Sequence, residues 1–332
     1  MKQKSFLNSA SGSAFLMLIM IITVFFALTF GSAEMTPAEL IGGLLKKDGF
    51  ATESTILYSL RLPRIIAGVL AGTGLSCSGV LLQAVTGNAL ASPNIIGVNA
   101  GAGFAVIVML AFFPAAASFL PAGAFAGAFL TTLFIIFLCS KISFSKSTVI
   151  LAGVAVTALL NAAISFVSYF DSDVLSLYRH FSVGGLSAVT PEQLKMPSLI
   201  IFTAVAVILV LSSRIDTLCL GDSLALSLGV NVKGLRLICL VTASALAGSV
   251  VSFAGLLGFV GLVVPHIAKK LSGGSTFSLT VNSCLIGASL VVLSDLFGRT
   301  LLSPTEIPVG IIMSFIGAPF LFYLLARRKN YA

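Results

Sequence analysis

Nine long apolar runs divide the chain, at 13–31, 61–85, 95–113, 119–140, 148–169, 196–213, 234–271, 276–297 and 307–326. Roughly twenty apolar residues carry a helix across the hydrocarbon core of a bilayer. Eight of the runs suit one crossing each. The run from Gly234 to Leu271 is too long for one crossing and a little short for two full ones. It contains Gly255, Gly258, Gly261 and Pro265, residue types that interrupt helices. Lys2 and Lys4 precede the first run, and Arg327, Arg328 and Lys329 follow the last. If both basic ends are cytoplasmic, the number of crossings is even. Splitting the long run into 234–254 and 257–271 gives ten. The pattern therefore predicts an all-α polytopic membrane protein with one transmembrane domain over 1–332. It has ten transmembrane helices, both termini cytoplasmic, and a retained rather than cleaved first helix.

The polar stretches between the runs are uneven. The longest in the middle of the chain is Arg214–Arg236, RIDTLCLGDSLALSLGVNVKGLR. Asp222 and Ser223 are both candidate N-caps for a short helix. Gly229 is suited to end it in the left-handed conformation. Leu224 and Leu228 fall four apart on one face, with Ala225 beside them. The segment lies between spans six and seven and reads as a surface presented to a partner. Thr36 to Lys46, with Pro37 early, predicts a short amphipathic helix, and Asp171 to Gly185 predicts another at the outer surface. Spans two and three are rich in small residues, Gly68, Gly72, Gly74, Ser76, Ser78 and Gly79, then Gly97, Gly101 and Gly103. Such spacing favours close helix packing. The stretch Thr86–Asn94 is either a plain turn or backbone beside a pathway. LRL opens span two at 60–62 and span seven at 235–237, a weak sign of an inverted repeat.

Composition narrows the class. The chain is 58% hydrophobic and 9% charged, too few charges to cover a soluble globule. Its net charge of +8 does not point to nucleic acid, because ten spans put twelve Lys and Arg inside and seven outside. Cys77, Cys139, Cys219, Cys239 and Cys284 are scattered singly and read as small buried hydrophobes. No Cys/His metal spacing, P-loop, HExxH or nucleophile elbow is present, and His266 and His180 carry no signal beyond structure. The span interiors lack the carboxylate strings of ion-coupled transporters. If the protein pumps, its energy comes from another chain. Arg61, Arg64 and Arg299 sit at outer span ends. The residues alone favour snorkelling or an Asp295–Arg299 helix pair over a basic docking patch.

Several stretches resemble one family. RLPRIIAGVLAGTGLSCSGVLLQAVTGNALASPNIIGVNAGAG (61–103), LGDSLALSLGVNVKGLR (220–236), GLLGFVGLVVPHIAKKL (255–271) and LFGRTLLSPTEIPVGIIMSFIGAPFLFYLL (296–325) are similar to FecCD-type permeases of bacterial ABC importers for ferric siderophores, haem and cobalamin. The resemblance implies a permease that pairs with an identical or homologous second permease. Two cytoplasmic ATP-binding subunits would sit below, and an extracytoplasmic substrate-binding protein would dock above. ATP and Mg²⁺ would bind the ATPase, leaving this chain without a cofactor or catalytic residue. It implies ATPase coupling through Gly221, Asp222, Leu224, Ala225, Leu228 and Gly229, and docking through Arg61, Arg64 and Arg299. Lys146 and Ser147 would fall at a cytoplasmic gate, where small hydroxyl residues are usual and Lys146 departs from the pattern. Asn88, Pro93, Asn94 and Gly97 would border the pathway. The implied location is the bacterial cytoplasmic membrane, and the implied cargo a ferric siderophore, with haem or cobalamin next. The competing class is a secondary transporter or channel that works without an ATPase.

Overall fold

The computed structural model describes residues 10–31, 35–47, 49–142, 146–272 and 274–328. Lys2, Lys4 and Lys329, which entered the parity count, lie outside the described residues. The chain is all-helical and polytopic. The long apolar helices are α1 (Ala10–Thr29), α4 (Leu62–Thr86), α6 (Leu120–Ile142), α7 (Lys146–Phe170), α9 (Pro191–Cys219), α11 (Val232–Ala254) and α13 (Thr276–Thr300). Further apolar helices are α5 (Val98–Phe112), α12 (Val260–Ser272) and α14 (Val309–Arg328). Among the described residues, seven helices are long and apolar enough to cross a membrane, and two shorter apolar helices accompany them. With 13 residues, α12 reaches only about 20 Å.

The small-residue pattern of α4 is the reason for the packing. A Cβ on Gly72 would run into the Gly287 carbonyl of α13, and one on Gly79 into the Gly261 carbonyl of α12. These backbones meet directly, which only glycine permits. Ser78 Oγ adds a hydrogen bond of 2.7 Å to the Ala243 carbonyl of α11. Thus α4 is sheathed by α11, α12 and α13 and is buried along most of its length. Gly101 of α5 likewise abuts the Gly127 carbonyl of α6. By contrast α7 and α9 turn Leu151, Leu159, Phe166, Phe202 and Val210 outward, as lipid-facing helices do.

Both expected surface helices form. α2 (Pro37–Leu44) has a complete capping box between Thr36 and Glu39. α8 (Ser172–Val183) starts on Asp171, whose side chain accepts the Asp173 and Val174 N–H groups. The break between α11 and α12 falls where the glycines indicated, with Gly255 at φ 69° and Phe259 at φ 64°. It is tied to the end of α8, since Leu256 N–H donates to Phe181 O at 3.2 Å and Gly185 N–H to Ala254 O at 2.9 Å.

Two boundaries differ from the sequence reading. The helix that carries span two starts before residue 61. α3 (Ala51–Ile56) runs through a π turn, Leu57–Arg61, straight into α4. Pro63 has no N–H to donate and crowds the preceding turn. The wider π turn just before it, closed by Leu62 N–H to Leu57 O, lets the helix pass. Similarly, Arg214–Cys219 is not loop but the last turn and a half of α9, which outruns its apolar stretch.

Candidate functional site

The central polar island holds α10 (Asp222–Ser227), a helix of 6 residues. Its closure is a Schellman motif. Gly229, at φ 78°, donates to Leu226 O, and Val230 N–H donates to Ala225 O, both at 3.0 Å. Its start is not as the sequence suggested. Gly221 occupies the N-cap position at φ 111° and no side chain caps the helix. Asp222 is instead the first helical residue, and its Oδ1 accepts from Arg236 Nη2 of α11 at 2.6 Å. A charged donor 14 residues away is a stronger partner for this carboxylate than its own helix amides. Arg236, expected as a flanking surface charge, is buried by the same contact.

This bond fixes how α10 is presented. Ala225 is fully buried against the body, while Leu224 is 54% and Leu228 64% exposed, with Leu226 also out. Three exposed leucines on a polar connector form an apolar knob. Nearby, Asp216 of α9 accepts the Thr276 N–H at 2.8 Å. It caps α13 in place of Ser275, whose side chain makes no cap bond. No local pattern marks this cross-helix cap, because the two residues lie 60 apart.

At the opposite end of the bundle, Arg61, Arg64 and Arg299 converge, but not as a free basic patch. Arg61 Nη1 donates to the carbonyls of Leu28 and, at 3.0 Å, Thr29, and Arg299 Nη2 donates to Ala27 O. Both arginines are buried and satisfy carbonyls at the C-terminus of α1, where positive charge is favoured. Arg64 is bound by two acids. Its Nε donates to Asp295 at 2.8 and 3.0 Å, and its Nη1 to Glu306 at 2.8 and 3.1 Å. The expected Asp295–Arg299 pair is present but loose, at 3.9 Å. Glu306 was not singled out in the sequence. Its only signal is an acid just before the Ile307–Pro308 break.

A groove of about 1030 Å³ lies between these ends, lined by Asn94, Asn99, Ser182, Phe259, Gly310, Ser314 and Phe322 among others. Of the four junction residues, Asn94 lines it. Pro93 is buried, Gly97 turns at φ 75°, and Asn88 accepts the Leu90 N–H in a local turn. Lys146 opens α7, but its side chain, like residues 143–145, lies outside the described residues; Ser147 is exposed.

Helices in this order, with a knob on one connector and arginines at the far end, invite comparison with known transporters. The model of the FecCD transport family matches residues 19–327. The chain belongs to the FecCD transport family. This FecCD protein is 36% identical over 312 residues to the Fe(3+)-citrate import system permease protein YfmE of Bacillus subtilis, covering 93% of each chain. It is 35% identical over 319 residues to the ferric enterobactin transport system permease protein FepD of Escherichia coli, covering 95% of both. It is also 33% identical over 281 residues to the vitamin B12 import system permease protein BtuC of Vibrio cholerae, covering 84% and 85%. Among solved structures, an ABC transporter assigned to the metal-chelate type, in an inward-facing conformation, superposes with a TM-score of 0.85 at 28% identity. That comparison covers 96% of this chain and 100% of the other. The FecCD chain is thus a multi-pass permease subunit with the type II importer fold, and ATP hydrolysis belongs to a separate subunit.

Proposed function

We propose that this FecCD permease moves a ferric chelate, most simply a ferric siderophore, inward across a bacterial cytoplasmic membrane. Ten crossings with both termini in the cytoplasm would place α10 inside and Arg64 outside. Two permeases would enclose the pathway, with two ATPase subunits below and a substrate-binding protein above. The observation that carries the reading is the leucine knob of α10, locked by Asp222 to Arg236. Its apolar surface is the kind that fits a cleft in another protein. ATP-driven closure of the ATPase pair would move α10, and through it α9 and α11, between inward-open and outward-open arrangements. In this reading Gly221, Asp222, Leu224, Ala225, Leu228 and Gly229 couple the motion, and Asn94 borders the pathway.

The iron reading draws on the Bacillus and Escherichia relatives, named as Fe(3+)-citrate and ferric enterobactin permeases. Cobalamin is the second reading, favoured by the Vibrio relative. The test is uptake into proteoliposomes of radioactive iron held by a hydroxamate, catecholate or citrate chelator, beside labelled cobalamin. The reading expects uptake of one iron chelate only with ATP, ATPase subunits and binding protein all present. Uptake by the permease alone down an ion gradient would replace it with a secondary transporter. Uptake of cobalamin alone would change the cargo but not the class.

A further inference from the structure

Arg64 is bound on two sides by carboxylates of its own chain, and the two are not equivalent. Asp295 is held in the α4–α13 interface with a side chain 7% exposed, while Glu306 stands on the loop before α14 with a side chain 34% exposed. We propose that Glu306 is an internal stand-in for a carboxylate of the docking protein, and that docking exchanges one carboxylate for the other on Arg64. The inference rests on the docking role proposed for the outer end.

Three observations support it. First, Arg61 and Arg299 donate to the last carbonyls of α1, whereas Arg64 is held by an acid, Glu306, that reaches solvent. Second, a small space of about 170 Å³ opens there, lined by Gly31, Leu60, Arg61, Arg64, Arg299 and Glu306. Three guanidinium groups around one small space suit a carboxylate head, and planar forks favour bidentate binding. Third, an ion pair with a partly exposed acid contributes little, so replacing Glu306 by another carboxylate is nearly balanced. Asp295 is different, because losing it would strand a buried charge.

The exchange has a structural consequence. Ile307 N–H is bonded to Gly298 O at 2.8 Å, and Glu306, Ile307, Pro308 and Val309 line a second cavity of about 570 Å³ with His180, Gly184 and Phe253. Releasing Glu306 would free the roof of that cavity when the partner arrives.

The experiment measures binding of the substrate-binding protein that supports ATP-driven uptake by this permease to the assembled transporter in lipid nanodiscs. Wild type, Glu306→Gln and Arg64→Gln are compared across a salt series. The expected result is binding about three- to fivefold tighter for Glu306→Gln, with steeper salt dependence, since one competing charge is gone. Arg64→Gln should weaken binding by about tenfold or more. Unchanged binding in Arg64→Gln would overturn the docking reading itself. Weaker binding in Arg64→Gln together with unchanged or weaker binding in Glu306→Gln would overturn the stand-in alone. Because Glu306 is on a surface loop, Glu306→Ala serves as a second variant and should move in the same direction.

Discussion

Arg236 Nη2 lies 2.6 Å from Asp222 Oδ1, so the first residue of α10 is tied to the second turn of α11. The Arg236 side chain is 6% exposed and that of Asp222 46%. The arginine is the member of the pair that cannot turn back to water. Substituting Asp222 by Ala should therefore cost more than a surface pair would, about 1–3 kcal/mol. Thermal unfolding of the purified permease measures this, with Asp222→Asn expected to lose less. Equal stability of wild type and Asp222→Ala would mean that the bond does not order α10.

Arg299→Glu should be more damaging than Arg64→Gln. Arg299 is buried, satisfies a carbonyl of α1 and faces Asp295. Reversing its charge strands that carbonyl and places two acids together, a change costing about 3–5 kcal/mol. A larger loss of folded yield with Arg299→Glu than with Arg64→Gln is the expected outcome in a detergent melt. Similar stability in the two variants would show that Arg299 has no structural duty.

Gly79→Ala tests the core. Its added methyl meets the Gly261 carbonyl, and the backbones must separate. Overpacking of this kind costs about 1–3 kcal/mol. Gly258→Ala, where a methyl meets open space, should be far milder in the same assay. The reverse ranking would contradict the α4–α12 contact.

The contrast between these sites shows what could be read in advance. Helices announce themselves through local pattern. Apolar run length located the long helices, glycines located the α11–α12 break, and Gly229 located the end of α10. Thr36 and Pro37 located the start of α2. Partners distant in the chain leave no such trace. Arg64 meets Asp295 and Glu306 across more than 230 residues, and Asp216 caps a helix 60 residues on. Asp222 looked like a cap because its local context offered no better donor. Arg61 and Arg299 looked like surface charges because the carbonyls that they satisfy belong to α1. The π turn before Pro63 was illegible for a further reason: proline near the start of an apolar run marks a helix start far more often than a passage through one.

Acid should loosen α2 before the bundle. The Glu39 carboxylate is held below its ordinary value, chiefly by the Thr36 backbone N–H and also by the Thr36 hydroxyl. A lowered folded value means that its contribution is present above the ordinary value of 4.5 and lost as pH falls below it. Amide exchange over residues 37–44 should speed up there in wild type but be nearly independent of pH, after correction for intrinsic rates, in Glu39→Gln. Identical pH profiles in the two would remove the capping box from the account.

The most direct test of the central claim is ATP-driven uptake by the reconstituted transporter with Leu224→Asp or Leu228→Asp in α10. Both side chains are more than half exposed, so the permease should fold and insert as wild type does. The account predicts that uptake collapses, and that ATP hydrolysis no longer rises when substrate-loaded binding protein is added. Wild-type uptake and wild-type stimulation in both variants would contradict the claim that the driving energy enters through α10.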